Sequence, residues 1–251
     1  MIAADSIKIS RDFSAHWYTR EGVPRYDANV TVARREGLVP SVTTILQTLA
    51  KPGLDTWKMQ QHIAATVNTV WQEDETQDQW MENIVEECDR ARGEAAQLGT
   101  EVHDLLEAWM VGNDLSFDGM NPVAVQAFLA AQEVMREYRT DAARCEEMVV
   151  GDIGGCYYGG RVDYYTDNGI LLDYKTQSVK KKRVNYYDEW PMQLGGYAHA
   201  LQGIKKVGTL VISTNPEDIF AKIRWWKDEK IEHALESFGH LVRYFYNAKK
   251  L

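Results

Sequence analysis

The chain is short of cysteine, of long apolar runs and of basic charge, and each shortage closes a class of proteins. Three cysteines in 251 residues, Cys88, Cys145 and Cys156, are an odd number with no C-x-x-C spacing. That argues against a disulfide framework or a zinc ribbon and predicts reduced thiols. No stretch approaches the roughly eighteen apolar residues of a membrane span. The opening M-I-A-A-D-S-I-K-I-S also lacks a signal peptide's apolar core. The expectation is a soluble, cytoplasmic protein with no membrane association. No internal repeat, low-complexity tract or Gly/Ser-rich linker divides the chain, so one domain is expected. Lys and Arg number 28 against 37 Asp and Glu, a formal charge of −9. That balance is awkward for a protein that contacts phosphates, which needs Lys and Arg, although it does not exclude a local basic groove.

What is present is ordinary globular usage, 45% hydrophobic and 26% charged, in a chain long enough for one sizeable core. Residues 5–35 read as strand-like and irregular, with H-W-Y-T-R-E-G-V-P-R-Y suggesting a turn near Gly22. Ser41 reads as the N-cap of V-T-T-I-L-Q-T-L. From Asp55 to about Gly112 the pattern is helical, with Trp57, Ala64, Val67 and Trp71 on one stripe and a polar break near residues 73–78. Asn121 and Pro122 open another helix running to about Arg139. Strands follow at about 145–150, 157–166 and 170–176, then a helix over 190–202 closed by Gly203, then strands near 207–214 and 219–226. A final helix carries Ile231, Leu235, Phe238, Val242 and Phe245 on one continuous apolar face.

The chemistry concentrates in Y-Y-G-G-R-V-D-Y-Y-T, D-N-G, I-L-L-D-Y-K-T. Two β-rich runs flank a three-residue loop ending on Gly169, which supplies the left-handed residue such a loop needs. With Thr166 facing Ile170, Asp163 falls opposite Asp173 and Arg161 opposite Lys175. In that register all four share one face, and Val162, Leu172 and Tyr174 share the other. Opposed carboxylates destabilise a ladder. A hard divalent cation, which takes oxygen ligands, supplies a reason for them. A lysine on the same face can orient or help deprotonate a water and offset charge on phosphoryl oxygens. The alternative is a solvated surface cluster in which the aspartates pair with Arg161 and Lys175.

Other groups stand at suggestive places. L-G-T-E-V-H carries Gly99 and His103 four apart on a helix. His103 lies on the shoulder of the stripe formed by Leu98, Val102, Leu105, Leu106 and Trp109. M-Q-L-G-G-Y places Gln193 and Tyr197 one turn apart. C-E-E-M-V-V offers Glu146 and Glu147, which point to opposite faces of a strand. The one dense basic run is Lys180, Lys181, Lys182 and Arg183. It is followed by Tyr186, Tyr187 and Trp190, aromatics able to stack on unpaired bases.

In this order the motifs resemble those of the PD-(D/E)XK nucleases. The similarity is to the RecB-like exonuclease branch, which includes the mitochondrial genome maintenance exonuclease and the CRISPR adaptation nucleases. It runs from about Pro40 to Gly203, and P-S-V-T-T-I-L itself resembles the mitochondrial group. The resemblance implies an α/β fold with a restriction-endonuclease-like core, a mixed central β-sheet flanked by helices. An N-terminal strand and helical cap would occupy about residues 1–140 and the catalytic core about 141–251, within one nuclease domain. It implies metal ligation by His103, Asp163, Asp173, the Tyr174 carbonyl and an upstream glutamate, for which Glu147 is favoured over Glu146. Lys175 would be catalytic alongside Asp163 and Asp173, and Gln193 and Tyr197 would support the site. Several relatives hold an iron-sulfur cluster on four cysteines, three of them after the catalytic core. Here none follows Cys156, so no cluster is expected.

The activity implied is a Mg2+- or Mn2+-dependent DNA exonuclease acting on single strands or free ends in replication, recombination or repair, in a bacterial or phage-infected cell. Lys180, Lys181, Lys182, Arg183 and Arg161 would contact the nucleic acid. Two other classes fit the same residues less fully: a catalytically weak nucleic-acid-binding or assembly subunit, and a metal-dependent hydrolase of small phosphoesters, which an acidic surface tolerates better.

Overall fold

The computed structural model describes residues 16–251, so the first part of the N-terminal region read as irregular, residues 5–15, lies outside it. In chain order the elements are β1 (Trp17–Tyr18), α1 (Val30–Glu36), β2 (Val39–Pro40), α2 (Val42–Leu46), α3 (Pro52–Asn68), α4 (Gln77–Met110) and α5 (Pro122–Met135). A 3-10 turn, Arg136–Tyr138, leads into β3 (Ala143–Ile153), β4 (Cys156–Thr166) and β5 (Ile170–Gln177). The chain ends with α6 (Glu189–Leu201), β6 (Lys206–Ser213), β7 (Ala221–Trp225) and α7 (Asp228–Lys249).

Strands β3 to β7 form one mixed sheet in sequence order, antiparallel except where β5 and β6 run parallel. Parallel neighbours need a crossover, and α6 supplies it. One face of the sheet is covered by α2, α6 and α7, with Ile45, Leu194, Phe238 and Val242 packed on Tyr158, Val162 and Leu171. The other is covered by α4 and α5, with Val102, Leu106, Phe128 and Met135 on Tyr164, Leu172 and Tyr174. This is the α/β architecture expected, a central mixed sheet between helices. Among the described residues no helix is long and apolar enough to cross a membrane.

Local chemistry sets the element ends. Thr76 and Gln79 form a reciprocal capping box at the start of α4. Ser41 caps α2 as expected, its Oγ accepting from the Thr44 N–H at 2.9 Å. The turn near Gly22 is present, with the Thr19 N–H donating to the Val23 carbonyl at 2.8 Å. Residues 30–36, by contrast, are helical rather than strand-like. The Asn29 side chain accepts from the Thr31 and Val32 N–H groups, and Gly37 ends the turn at φ +66°. These caps outweigh the β preference of Val30, Thr31 and Val32.

The Trp57, Ala64, Val67, Trp71 stripe does not form a core. Helix α3 stops at Asn68, so Trp71 leaves the helical register and packs at a tilt against Trp80 with centroids 5.4 Å apart. The buried residue of α3 is Ala65, while Ala64 and Val67 are exposed.

Gly151 on β3 is the direct partner of Tyr158 on β4. A Cβ at Gly151 would lie 2.3 Å from the Tyr158 ring, whose hydroxyl donates to the Gly196 carbonyl of α6 at 2.9 Å. The missing side chain thus lets a fully buried tyrosine lie across the sheet and tie it to α6. Gly151→Ala is expected to lower unfolding free energy by about 1–3 kcal/mol through overpacking. Urea denaturation would show this, and an unchanged midpoint would refute the close fit.

Candidate metal centre

The β4–β5 hairpin closes in the expected register at its turn. Tyr164 pairs with Leu172 and Tyr165 with Leu171, and Gly169 takes φ +99°. The ladder then stops, so Asp163 is not paired opposite Asp173, nor Arg161 opposite Lys175. Val162 also does not share a face with Leu172 and Tyr174: it belongs to the α6–α7 layer and they to the α4–α5 layer.

The cause lies one strand over. Between β3 and β4 the pairing runs through Cys145↔Tyr164 and Glu147↔Val162 but skips Glu146 and Asp163. Glu146 adopts φ +55°, a left-handed conformation that costs a non-glycine residue about 1–2 kcal/mol. Across this break the inward side chains of β4 change layer, from Tyr158 and Val162 on one side to Tyr164 on the other. The two residues at the break are released from strict alternation, and both are carboxylates.

Their side chains meet His103 from α4. His103, Glu146 and Asp163 offer ligand atoms that all lie within 4.8 Å of one another. Asp163 Oδ1 is 4.0 Å from His103 Nδ1, while its Oδ2 accepts from the Tyr174 N–H at 2.6 Å. The hydrogen bond replaces the strand pairing lost at Asp163, and it draws that carboxylate toward β5. Asp173, 2% exposed, stands beside Tyr174 on β5. Lys175 Nζ donates to Asp173 Oδ1 at 3.0 Å and to Gln193 Oε1 at 3.1 Å. Gln193 Nε2 donates to Asp173 Oδ1 at 2.8 Å and to the Tyr197 hydroxyl at 3.3 Å. The four residues Asp173, Lys175, Gln193 and Tyr197 are therefore one network across β5 and α6.

Close approaches of backbone hold this arrangement. A Cβ at Gly99 would be 2.8 Å from Thr176 Oγ1, so the glycine lets α4 come down onto β5 one turn before His103. A Cβ at Gly160 would be 2.5 Å from the Tyr197 ring, so that glycine lets the tyrosine lie against β4. The His103 ring sits edge-on to Tyr174 at 5.6 Å, which fixes its plane.

The electrostatics suit a cation. Burial, reinforced by Asp163, raises Glu146 to about 8. Burial also raises Asp173, to about 6, and Asp163 adds to it while Lys175 opposes. Burial lowers His103 to about 4, with Lys175 acting the same way, so its imidazole is neutral and able to ligate. Burial disfavours the charge on Lys175, but Asp173 and Asp163 outweigh it and raise the ammonium above its ordinary value.

Among the described residues, three buried side-chain oxygens have no hydrogen-bond partner: Glu146 Oε2, Asp173 Oδ2 and the Tyr174 hydroxyl. Each of the two carboxylate oxygens lies at ion-pair distance from a cation, Arg161 Nε at 2.5 Å and Lys175 Nζ at 2.8 Å. Buried carboxylate oxygens outside the hydrogen-bond network, beside a neutral imidazole, are a donor set that a hard divalent ion completes.

The structure reverses the choice between the two glutamates. Glu147 is exposed and accepts from the Tyr165 hydroxyl at 2.6 Å, while Glu146 turns into the centre because of its left-handed backbone. Strict strand alternation could not reveal this. Lys180, Lys181, Lys182 and Arg183 are exposed on the β5–α6 loop, and none forms an ion pair among the described residues. The loop is pinned by the Lys182 N–H donating to Asp218 at 2.7 Å. Of the neighbouring aromatics, Tyr187 is exposed, edge-on to Trp190, and the other two are occupied. Trp190 is buried, and Tyr186 packs on Trp190 and Trp226 beneath the Arg224 guanidinium.

Two outcomes follow. Glu146→Asn keeps a residue that tolerates left-handed backbone and removes a buried carboxylate. The metal-free melting temperature should hold or rise, while the increase on adding Mn2+ shrinks. Equal Mn2+ stabilisation in both proteins would remove Glu146 from the centre. Because Glu146 and Asp173 carry protons up to about pH 8 and 6, the cation must displace them. Affinity should fall as pH drops from 8 to 6, with proton release visible by calorimetry in buffers of different ionisation enthalpy.

No family model matches the chain, and no curated protein matches it. Among solved structures it is similar to one from Eubacterium rectale described as a "Putative exonuclease", at 13% identity and TM-score 0.42, covering 61% of this chain and 68% of that one. It is also similar to one described as SSO0001, at 18% identity and TM-score 0.29, covering 59% and 70%. At these identities and scores, the functional reading rests on the centre's own geometry.

Proposed function

We propose that this protein is a Mg2+- or Mn2+-dependent deoxyribonuclease of the RecB-like type, an exonuclease that hydrolyses phosphodiester bonds at single strands or free ends in replication, recombination or repair. The observation that carries the reading is the pair of buried, hydrogen-bond-deficient oxygens on Glu146 and Asp173, set beside neutral His103 and charged Lys175. Such a set is costly to the fold. Its buried carboxylates oppose one another and strain the backbone at Glu146.

His103, Glu146, Asp163 and Asp173 would hold the ion, with the Tyr174 carbonyl as a further donor. A bound divalent cation supplies Lewis-acid polarisation of the scissile phosphate and a water of lowered pKa. Lys175, fixed by Asp173 and Gln193, presents an ammonium that orients the attacking water and stabilises charge building on the phosphoryl oxygens. Gln193 holds Lys175 and Asp173 in register through both ends of its amide, and Tyr197 anchors Gln193. Arg161, beside Glu146, and the exposed Lys180–Arg183 loop would receive the phosphate backbone.

The overall acidity does not oppose this. Residues 52–94 hold ten carboxylates against Lys58, Arg90 and Arg92, which is seven of the nine excess negative charges. The rest of the chain, core included, is nearly balanced.

End-labelled single- and double-stranded DNA incubated with Mg2+, Mn2+ or EDTA tests the reading. Metal-dependent shortening is expected, reduced at least about 100-fold in Lys175→Ala. Asp173→Asn should abolish cleavage and leave oligonucleotide binding largely intact. Cleavage unchanged in Asp173→Asn would sink the site. Salt-sensitive binding without cleavage would instead indicate a binding subunit.

A further inference from the structure

The two carboxylates with an oxygen outside the hydrogen-bond network are each matched by a cation of the chain itself, but the matches are built differently. Lys175 Nζ reaches both oxygens of Asp173, at 3.0 and 2.8 Å, and Gln193 Oε1 at 3.1 Å. Arg161 meets Glu146 Oε2 through Nε at 2.5 Å, and its side chain is 33% exposed where that of Glu146 is 10% exposed. On the ladder Arg161 pairs with Met148, two residues beyond Glu146. The Arg161–Glu146 contact is thus a diagonal cross-strand pair that ends on the break. Its carboxylate belongs to the residue that takes the left-handed backbone, at φ +55°.

Arg161 and a divalent cation have claims on the same carboxylate. Glu146 is also a member, with His103 and Asp163, of the group whose ligand atoms lie within 4.8 Å of one another. A guanidinium and a dication on one largely buried carboxylate repel each other where water screens little, and a single negative charge offsets only part of their sum. A guanidinium that leaves a carboxylate is matched to phosphate, whose oxygens accept from the same planar fork of donors. Its partial exposure opens Arg161 to a polyanion arriving from solvent, which Glu146 is not.

We infer that Arg161 is a positioning residue that exchanges partners: it holds Glu146 when no divalent cation is bound and passes to a nucleic-acid phosphate when one is. Cation and nucleic acid then bind cooperatively, because each draws Arg161 away from the state the other disfavours. Lys175, held by Asp173 and Gln193 together, keeps its place throughout. The inference rests on the metal centre proposed above and not on cleavage.

The test compares the full chain with Arg161→Gln and Arg161→Lys at pH 8, with thermal melts confirming the fold. Mn2+ affinity is read from the electron paramagnetic resonance of the free ion. Arg161→Gln should bind Mn2+ at least about fivefold more tightly than the native protein, and Arg161→Lys, which keeps the charge, should stay close to native. Binding of a phosphorothioate single-stranded oligonucleotide, shown intact on a gel, is followed by fluorescence anisotropy. In EDTA, Arg161→Gln should bind it within about twofold of native, whereas saturating Mn2+ should tighten native binding at least about fivefold more than that of the variant. Equal Mn2+ affinity in the native and Gln proteins overturns the inference. So does weaker Mn2+ binding by Arg161→Gln, which would make Arg161 a strut for Glu146, or oligonucleotide binding weakened alike with and without Mn2+, which would make it a plain phosphate contact. These three results leave the metal centre standing, and Mn2+ binding by neither protein overturns both. The native protein alone also decides, since an oligonucleotide affinity indifferent to Mn2+ excludes the exchange whether or not the variants fold.

Discussion

The break in the β3–β4 ladder at Glu146 and Asp163 is the constraint on which the rest of the centre depends. An unbroken antiparallel pair would send Glu146 and Asp163 out on fixed alternation, each backed by its neighbours' pairing. Skipping both lets the ribbon change layer, and the two freed carboxylates turn toward α4 and β5. The backbone pays at Glu146, in left-handed conformation, and recovers part of that at Asp163, which takes up the Tyr174 N–H. Side chains on three strands and two helices then converge without any of them being on a long loop. A centre mounted on rigid elements holds its geometry without substrate.

Glycine and aromatic residues do the positioning. Gly99 brings α4 against Thr176, Gly160 admits Tyr197, and Gly151 admits Tyr158. In each case a missing side chain sets a distance that no larger residue allows. The tyrosines then carry hydrogen bonds where plain hydrocarbon would only pack: Tyr158 to α6, Tyr164 to the Tyr138 carbonyl, Tyr197 to Gln193. The sheet and α6 are therefore tied together, with Asp173, Lys175 and Gln193 at the join.

Charge is divided between two parts of the chain with opposite needs. The core keeps a near balance in which buried carboxylates face Arg161 and Lys175 and exposed Lys180–Arg183 stand on the adjoining loop. The segment of α3 and the first half of α4 holds most of the excess acid. Net charge alone, averaged over both, describes neither.

The sequence by itself determined the strands, the helices around them and most members of the centre. Hydrophobic period, caps and the Asp167–Gly169 turn are local signals, and local sterics fix them. It also determined which chemical groups were available, since Asp163, Asp173, Lys175, His103, Gln193 and Tyr197 come together as their motifs suggested. Only the tertiary structure decided that the hairpin register ends at Tyr164 and that Glu146 rather than Glu147 turns inward. It likewise decided that Tyr186 and Trp190 are consumed by packing and that Asn29 starts a helix among β-branched residues. Each of these turns on a neighbour distant in sequence or on one residue leaving its expected backbone region. A period-two or 3.6 pattern, which assumes every residue keeps step, cannot register such a departure.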